Sequence, residues 1–337
     1  MSKSVSQFLL GIDLSCVEIK DNDCSEAFSN MTRIQWLKLV STGLEQIPKG
    51  VEKLTQLQRL TISKNNINQL SGDWCTELKA LRVFNARKNK LTDDSLPEQL
   101  FNNPQLQVVD LSFNLLTEVP AGLVEAKSLL VLNLSDNQIK NVSKDLFANC
   151  VSLMILDLSN NQIVGFPTNL RRSPNLQSLN LSNNPLSMSQ LRSINGLKKL
   201  TTLLLSNTSR RLENIPSDLD KLPCLQDLDI SDNNLPKVPQ TIYEITSLTK
   251  LNLSGNEIDE LSGLVDCWPN LEVLNLSRNR LNSLPSFITR LSKLKKLYVD
   301  ENRLTFNGIP PGIGKLSNLE VFSASENLLE NIPEGNL

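Results

Sequence analysis

The sequence has no histidine among its 337 residues, and aromatic residues make up only 4% of it. Without an imidazole, neither a Ser-His-Asp triad nor a Cys-His pair can form, and zinc loses one of its usual ligands. The formal net charge is −2, so the chain lacks the basic surface with stacking aromatics that nucleic-acid-binding proteins use. These absences argue against the common hydrolases, against histidine-ligated metals and against nucleic acid as a partner.

Long apolar runs and paired cysteines are also absent. The start of the chain offers only FLLGI, which is too short for the core of a signal peptide, and no segment approaches the roughly 18 apolar residues of a membrane span. The six cysteines are scattered and form no CxxC motif. Because extracellular repeat proteins generally close their ends with disulfides, single thiols indicate a reducing compartment. We predict a cytoplasmic location, with the nucleus as an alternative, and no membrane span.

Leucine and asparagine, in contrast, are abundant, with 64 and 38 residues. The template L-x-x-L-x-L-x-x-N-x-L recurs fourteen times at steps of 23 to 25 residues. The copies begin at Leu9, Ile34, Leu57, Leu81, Leu106, Leu129, Leu153, Leu176, Leu200, Leu225, Leu248, Leu271, Leu294 and Leu319. This repetition predicts an α/β repeat fold, a horseshoe-shaped leucine-rich repeat solenoid with one parallel sheet on the concave face.

Each part of the template has a physical role. The alternation x-L-x-L-x predicts a short strand with its leucines on one face. The segment after the strand, commonly I/V/L-P-x-x-L/I, is expected to return on the convex side, where proline needs no ladder donor. Asparagine at the ninth position can satisfy backbone groups where the chain leaves the strand. Eleven of the fourteen copies have it; Thr42 and Thr208 can replace part of its bonding with one hydroxyl, and Val17 cannot.

The two ends of the array differ. Residues 1–33 contain a degenerate copy followed by the polar stretch KDNDCSEAFSN, and we predict that they form an N-terminal capping unit. Residues 34–337 are predicted to be the repeats, and the last one stops at NIPEGNL, inside its return segment and without a polar cap. The expectation is that the last strand faces solvent and that the sequence is a fragment of a longer protein.

Function in such a fold is expected on the concave face, which is formed by template positions three, five, seven and eight. The hypothesis is a protein-binding surface on which Trp36 is an anchor and patches of charge set register and orientation. The predicted docking residues are Trp36, Lys38, Arg59, Lys64, Arg87, Lys88, Asp227, Asp229, Asp232, Lys250, Lys296, Tyr298 and Asp300.

Other interpretations compete for these residues. The charges could do no more than keep the solenoid soluble, and the Asn/Ser tract of the middle copies is interpreted as a hydrogen-bond ladder along the sheet. Asp227 and Asp229 lie on one strand face, about 7 Å apart by strand rise, so two carboxylates could divide acid and base work. An open sheet offers no pocket, however, and the sequence has no glycine-rich phosphate loop. The chain is therefore predicted not to be an enzyme and to use no cofactor or metal.

Several stretches are more particular than the template. They are WLKL from Trp36, AKSLLVLNLSDNQI from Ala126, LSNNPLSMSQLRSI from Leu181, NTSRRLENIPSDLD from Asn207, NLSRNRLNSLPSFITRLSKLKKLY from Asn275 and GIPPGIGKLSNLE from Gly308. From about Ser6 to the end, the chain resembles the leucine-rich half of the Flightless family, and the insertion around Arg210 and Arg211 is one of the more diagnostic places.

The resemblance implies an intracellular adaptor of the actin cytoskeleton. In that family, such repeats precede gelsolin-like segments that bind and cap or sever actin, and the repeat half docks signalling and regulatory proteins, including Ras-type GTPases and coiled-coil partners. This sequence lacks the gelsolin-like segments, so actin is expected to be reached only through them, and no residue here is assigned to actin. The competing interpretation is a stand-alone Ras-suppressor-like scaffold for a small GTPase or phosphatase complex.

Overall fold

The computed structural model describes residues 8–20, 23–70, 73–142, 147, 149–165, 168–186, 191–209, 215 and 218–331. Arg210, Arg211 and residues 332–337 lie outside the described residues. Backbone contacts divide the chain into two compact units. The first unit comprises residues 1–163 and 172–176, and the second comprises residues 164–171 and 177–337. Seven strands belong to each unit, and the strand order follows the order of the repeats.

Each repeat contributes one strand of three residues, which occupy template positions three to five. Within each unit, neighbouring strands pair in parallel; Leu37, for example, lies beside Leu60. The central residue is buried in β2 to β13, and the residues on either side of it face outward. The strands are β1 (Gly11–Asp13), β2 (Trp36–Lys38), β3 (Arg59–Thr61), β4 (Val83–Asn85), β5 (Val108–Asp110), β6 (Val131–Asn133), β7 (Ile155–Asp157), β8 (Ser178–Asn180), β9 (Thr202–Leu204), β10 (Asp227–Asp229), β11 (Lys250–Asn252), β12 (Val273–Asn275), β13 (Lys296–Tyr298) and β14 (Val321–Ser323). The predicted leucine-rich repeat fold with parallel strands is confirmed.

The return segments are mostly short 3₁₀ turns. Three α-helices are present among the described residues, α1 (Ser25–Ser29), α2 (Asp73–Glu77) and α3 (Gln240–Tyr243). The 3₁₀ helices are Val51–Lys53, Asp93–Ser95, Glu98–Leu100, Ala121–Glu125, Thr168–Arg172, Leu191–Gly196, Leu219–Lys221, Gly263–Cys267, Ser286–Arg290, Phe306–Gly308 and Ile313–Lys315. Pro120 and Pro285 directly precede two of these turns, with φ of −53° and −67°. Each proline is the N-cap of its turn, with an extended ψ of 125° or 145°, at a place where the missing N–H costs no ladder hydrogen bond.

The core of each unit is formed by leucines that point inward from the strands and turns. Large aromatic side chains fill the wider places, among them Phe84 in the first unit and Trp268 in the second, both fully buried. The Trp268 ring stacks on Tyr243 at 4.9 Å between centroids, and its Nε1 donates to the carbonyl of Ile242 at 2.8 Å. Burying an indole with its N–H satisfied avoids the cost of an unpaired donor.

The ninth-position asparagine joins successive repeats. The Asn161 amide nitrogen donates to the carbonyls of Leu134, Leu158 and Ser159 at 3.0 Å, while its oxygen accepts from the Ile139 N–H at 3.0 Å. One buried side chain thus satisfies backbone groups in its own repeat and in the preceding one. Bonds of both kinds recur at Asn65, Asn89, Asn114, Asn137, Asn256, Asn279, Asn302 and Asn327. The predicted structural role of this position is confirmed.

Threonine makes only part of this arrangement, as expected. The Thr42 hydroxyl donates to the carbonyl of Leu39 at 3.3 Å, and the Thr208 hydroxyl donates to that of Leu205 at 2.9 Å. Val17, which offers no such bond, is 49% exposed. The central residues of the end strands, Ile12 and Phe322, are half-buried, whereas the corresponding residues of the other strands are buried.

We predict that Asn161→Ala lowers the free energy of unfolding by about 1 to 3 kcal/mol, because it leaves buried backbone groups unsatisfied in two repeats. Urea denaturation followed by circular dichroism measures the loss. Gln162→Ala changes the adjacent exposed side chain and is the matched control. Equal stability of Asn161→Ala and Gln162→Ala would contradict the proposed role of the amide.

Candidate protein-docking surface

The outward side chains at template positions three, five, seven and eight form a continuous surface within each unit, here called the strand face. The strand face ends at position eight, where the backbone turns away from the strand direction. This position has a positive φ in all fourteen repeats, between 49° and 65°. The residues are Cys16, Ser41, Lys64, Lys88, Phe113, Asp136, Asn160, Asn183, Asn207, Asp232, Gly255, Arg278, Glu301 and Glu326. Only one of them is glycine. In the other repeats a residue with a side chain therefore adopts the left-handed conformation, which costs free energy for any residue other than glycine. This turn is a feature that the sequence analysis missed, since no single residue type marks it.

Trp36 faces outward on β2, as predicted, and is the exposed member of the chain's three tryptophans. Its indole lies directly on the backbone of Gly11 in β1, because a Cβ added to Gly11 would fall 1.8 Å from Trp36 Cε2. The side chain remains 37% exposed. Lys38 Nζ lies 5.7 Å from the ring centroid and 3.7 Å from Asp13 Oδ2. Because Gly11 has no side chain, the indole packs flat against its backbone, and this packing fixes the orientation of the ring.

The Asp13 carboxylate is held in its charged form. Hydrogen bonds from the hydroxyl and the N–H of Ser15, together with Lys38, lower the pKa of Asp13 below its usual value. Lys38 is therefore partly neutralised by a neighbour within the repeats, although its ammonium stays exposed. The exposed Trp36 ring thus has the ion-paired Lys38 on its own strand and the exposed Arg59 beside it on β3.

A second aromatic side chain, Phe113, lies on the same strand face and was not among the predicted docking residues. The guanidinium carbon of Arg87 is 4.3 Å from its ring centroid, and Lys88 Nζ is 4.8 Å away. Arg87 Nη1 also donates to the Ser112 hydroxyl at 3.1 Å. Phe113 is 36% exposed. Its presence at an eighth template position was visible in the sequence and could have been recognised as a candidate there.

The third position of the strands adds an apolar column to this surface. Val83, Val108, Val131 and Ile155 are direct neighbours in the parallel register of β4 to β7. The three valines are half-buried, and Ile155 is 43% exposed. Arg59 continues the same column beside Trp36 and is exposed. The strand face of the first unit therefore combines apolar side chains with the cations of the predicted basic stretch.

The predicted acidic patch of the second unit is largely paired within the protein. Asp227 Oδ2 lies 3.8 Å from Lys250 Nζ, and Asp232 Oδ1 lies 3.1 Å from Arg278 Nη2. The Asp229 carboxylate accepts from the N–H and hydroxyl of Ser231 and from the side-chain amide of the neighbouring Asn252. Each of the three aspartates is therefore bonded to a cation or a hydrogen-bond donor of this protein. These internal contacts reduce the negative charge that a binding partner would meet.

Two details of this patch follow from its neighbours. Partial burial raises the pKa of Asp227, and Asp229 adds to that rise while Lys250 opposes it. Gly255 leaves room for the ion pair that spans its repeat, because a Cβ there would lie 2.0 Å from Asp232 Oδ1.

The remaining predicted residues lie on β13 and just after it. Lys296 is exposed at the third position, and Tyr298 is half-buried between Asn275 and Ser323 in the register. The Asp300 carboxylate accepts from the hydroxyls of Ser323 and Ser325, from the Ser325 N–H at 2.9 Å and from Ser277. Partial burial opposes ionisation of Asp300, but the hydrogen bonds outweigh it and lower the pKa. Asp300 therefore ties β14 to its neighbours.

The middle repeats show hydrogen bonds of a different direction from the expected ladder. The side-chain oxygen at position five accepts from the N–H at position seven of the same repeat, at 2.9 to 3.1 Å. The pairs are Asn133 with Ser135, Asp157 with Ser159, and Asn180 with Ser182. These bonds cap the strand ends locally, because an Asx side chain readily reaches the N–H two residues on. A bond between repeats is also present at Ser182, whose hydroxyl accepts from the Ser206 N–H at 3.2 Å, so the tract combines these local bonds with one step of the expected ladder.

The groups able to react or to bind metals are scattered or buried. Within the described residues, no cluster of three or more His, Cys, Asp or Glu side chains could hold a metal ion. Burial raises the pKa of the Cys75 and Cys150 thiols, the latter to about 11. A protonated buried thiol is a poor nucleophile.

Among the residues that the structure describes, no helix is long and apolar enough to cross a lipid bilayer.

Comparison with family models identifies the repeats. Residues 32–91 and 104–163 match the model described as Leucine rich repeat, residues 246–289 match Leucine Rich repeats (2 copies), and residues 175–197 match Leucine Rich Repeat.

Two curated relatives are similar over nearly the whole chain. The protein flightless-1 homolog of Mus musculus is 50% identical over 321 residues, which are 95% of this chain and 25% of that protein. The protein flightless-1 homolog of Caenorhabditis elegans is 43% identical over 330 residues, 98% of this chain and 26% of that protein. The chain thus spans about a quarter of the length of these relatives.

Solved structures share the fold. A leucine-rich repeat protein of Leptospira interrogans superposes with a TM-score of 0.81 at 27% identity, covering 98% of this chain and 94% of that one. The ectodomain of the Arabidopsis thaliana receptor kinase GASSHO1/SCHENGEN3, solved in complex with CASPARIAN STRIP INTEGRITY FACTOR 2, gives a TM-score of 0.65 at 28% identity and covers 89% of this chain and 42% of that one.

The hydrogen bonds of Asp300 predict a pH-dependent contribution to stability. Because its pKa is lower in the folded than in the unfolded chain, the stabilisation is present above the unfolded value and is lost as pH falls through the folded pKa. Asp300→Asn should lower the free energy of unfolding by about 1 to 2 kcal/mol at pH 7. The difference from the parent chain should shrink below about pH 4.

Denaturation titrations at several pH values measure this effect. Glu301→Gln alters the adjacent exposed carboxylate and is the matched control, which should change stability by less than about 0.5 kcal/mol. A loss for Asp300→Asn that is the same at pH 7 and pH 3 would exclude the carboxylate as its source.

Proposed function

Since this chain belongs to the leucine-rich repeat proteins and its repeats are similar to those of the Flightless-1 homologues, we propose that its strand face is a protein-docking surface anchored by Trp36. The observation that carries the proposal is the packing of the Trp36 indole on the backbone of Gly11, which leaves the other face of the indole accessible to a partner. A large aromatic side chain held in one orientation loses little conformational entropy when a partner covers it. The Lys38 ammonium, over the ring at 5.7 Å from its centroid, adds a charged group to this contact surface.

The remaining predicted residues have different roles in this docking. Arg59, Lys64, Arg87 and Lys88 supply positive charge that orients a partner, while Lys250 and Lys296 lie exposed at the other end of the repeat series. Asp227, Asp229 and Asp232 act mainly through their internal partners. Charged groups at such a surface influence the association rate and the orientation of the partner more than the total affinity.

The wider role follows from the resemblance to the Flightless family. We propose that this docking serves an intracellular, cytoplasmic adaptor of the actin cytoskeleton, whose partners include signalling proteins such as a Ras-type GTPase or a coiled-coil regulator. The similarity to Flightless-1 homologues over almost all of the chain supports this role. In this proposal the repeats select the signalling partner, and contact with actin is made by gelsolin-like segments of the family and not by the repeats.

Trp36→Ala should weaken the binding of a partner by about tenfold or more, because it removes the central aromatic contact. Gly11→Val should have a similar effect, since the added side chain occupies the seat of the indole. Affinity capture from cell extract with quantitative mass spectrometry identifies the partners, and calorimetric titration of each purified partner gives the change in affinity.

Phe287→Ala is the matched control for this experiment. Phe287 is an exposed aromatic on a return turn, with the Arg290 guanidinium 4.5 Å from its ring centroid. Its replacement should leave binding within about twofold of the parent chain. Partners that are retained by Trp36→Ala and Gly11→Val with unchanged affinity would refute Trp36 as an anchor.

The proposed division of labour predicts the behaviour of the repeats toward actin. The 337-residue chain should remain in the supernatant when filamentous actin is sedimented, because its strand face is assigned to other proteins. A pellet fraction that saturates with actin concentration and exceeds that of an albumin control would overturn this assignment.

A further inference from the structure

The two units differ in how much charge their strand faces leave unpaired. In the second unit, the acidic side chains predicted to dock are bonded to Lys250, Arg278 and neighbouring donors. In the first unit, none of Arg59, Lys64, Arg87 and Lys88 forms an ion pair with another described residue. Within the three repeats that begin at Ile34, Leu57 and Leu81, the strand face therefore carries unpaired positive charge and no acidic residue, whereas Asp110, Asp136 and Asp157 lie on the strand face of the following repeats.

Two of these cations, those of Arg87 and Lys88, lie over the ring of Phe113. Arg87 lies 4.3 Å from the ring centroid and Lys88 lies 4.8 Å from it, so both positive groups are attracted to the same aromatic ring. Ser112 takes up only one of the five N–H donors of the arginine. The remaining donors and the ammonium can therefore meet an anion without first breaking an internal ion pair. We call Arg87, Lys88 and Phe113 the cation clamp.

The backbone under the cation clamp is fixed. Lys88 and Phe113 occupy the eighth position of adjacent repeats, with φ of 56° and 55°. The Lys88 N–H donates to the carbonyl of Ser112 at 2.9 Å, and the Phe113 N–H donates to that of Ser135 at 3.0 Å. These bonds fix the backbone from which the Lys88 and Phe113 side chains project at one end of the strand face. Prepositioned groups lose less entropy on binding than mobile surface side chains do.

An apolar strip belongs to the same repeats as the clamp. Val83, Val108 and Val131 continue through three adjacent strands to the exposed Ile155. Leu115, two residues after Phe113 in the sequence, is a further exposed apolar side chain, 43% accessible. A partner that fits this surface must supply negative charge for the cations and apolar side chains for the strip.

We propose that the cation clamp, together with the valine column of the same repeats (Val83, Val108 and Val131), binds an acidic segment of a partner protein, in which glutamate or aspartate residues are interspersed with apolar side chains. The proposal rests on the docking function proposed above and names the chemistry of one partner. The carboxylates pair with Arg87 and Lys88, because charge-assisted hydrogen bonds to arginine are strong and directional. The apolar side chains cover Phe113 and the column, since burying that area contributes affinity which charge alone does not supply.

The experiment uses three fluorescein-labelled peptides that differ only in their charged residues. The first has glutamates interspersed with leucine and one phenylalanine, and in the other two glutamine or lysine replaces every glutamate. Fluorescence anisotropy with the full chain should show binding of the glutamate peptide, which weakens as salt rises, and at least about tenfold weaker binding of the other two. Binding of all three with equal affinity would overturn the proposal.

Variants locate the peptide on the surface. Arg87→Ala combined with Lys88→Ala should weaken binding by about tenfold or more, and Phe113→Ala should weaken it several-fold. Lys79→Ala combined with Lys127→Ala removes the same charge from exposed lysines outside the strand face and is the matched control. Arg87→Glu combined with Lys88→Glu should shift the preference toward the lysine peptide. Unchanged urea midpoints confirm that each variant is folded.

Two further outcomes separate this inference from its rivals. If inorganic polyphosphate binds as tightly as the glutamate peptide and Phe113→Ala has no effect, the site is a general polyanion surface and the proposal is wrong. If partners depend on Trp36 but the glutamate peptide does not bind, the docking function stands and the acidic segment is refuted. If the peptide depends on Arg87 and Lys88 while partners ignore Trp36→Ala, the clamp stands and the Trp36 anchor is refuted.

Discussion

The buried amide at the ninth position of the template is the interaction on which the rest of this structure depends. Parallel strands of three residues have few backbone bonds of their own, and the chain turns sharply where each strand ends. An amide with two donors and an acceptor satisfies the carbonyls and the N–H groups exposed by that turn, as Asn161 does for two repeats at once. A repeat cannot form this set of bonds alone, since half of the partners belong to its neighbour.

The same turn shapes the surface on which function is proposed. Position eight has a positive φ in every repeat. Backbone hydrogen bonds between adjacent repeats continue through this position, as in the bond from the Lys88 N–H to the carbonyl of Ser112. Side chains at this position are thereby held at one end of the strand face. Lys88 and Phe113 are brought together because they occupy equivalent positions in adjacent repeats, although they are far apart in the sequence. A fold that repeats one backbone conformation can thus build a binding cluster from residues of several repeats.

Charge pairing distinguishes the surfaces of the two units. Lys250 and Arg278 compensate aspartates of nearby repeats, whereas Arg87 and Lys88 face an aromatic ring. Exposed ion pairs contribute little to stability, so their main effect here is on the charge that a partner encounters. Trp36 adds an aromatic surface whose orientation depends on the absence of a side chain at Gly11. The proposed docking surface therefore depends on neighbours in adjacent repeats as much as on the residues that contact a partner.

The sequence by itself determined the repeat fold, the register of the strands, the burial of the leucines and the role of the ninth-position asparagine. It could do so because these properties depend on periodicity within one repeat, and a period of 23 to 25 residues recurs throughout the chain. It also placed Trp36 on the outward face. The tertiary structure alone decided that Asp229 and Asp300 are occupied by internal donors, that Gly11 seats the indole, and that Phe113 gathers two cations. Those outcomes depend on side-chain geometry between repeats, where a reach of a few ångströms determines which of several neighbours a charged group meets.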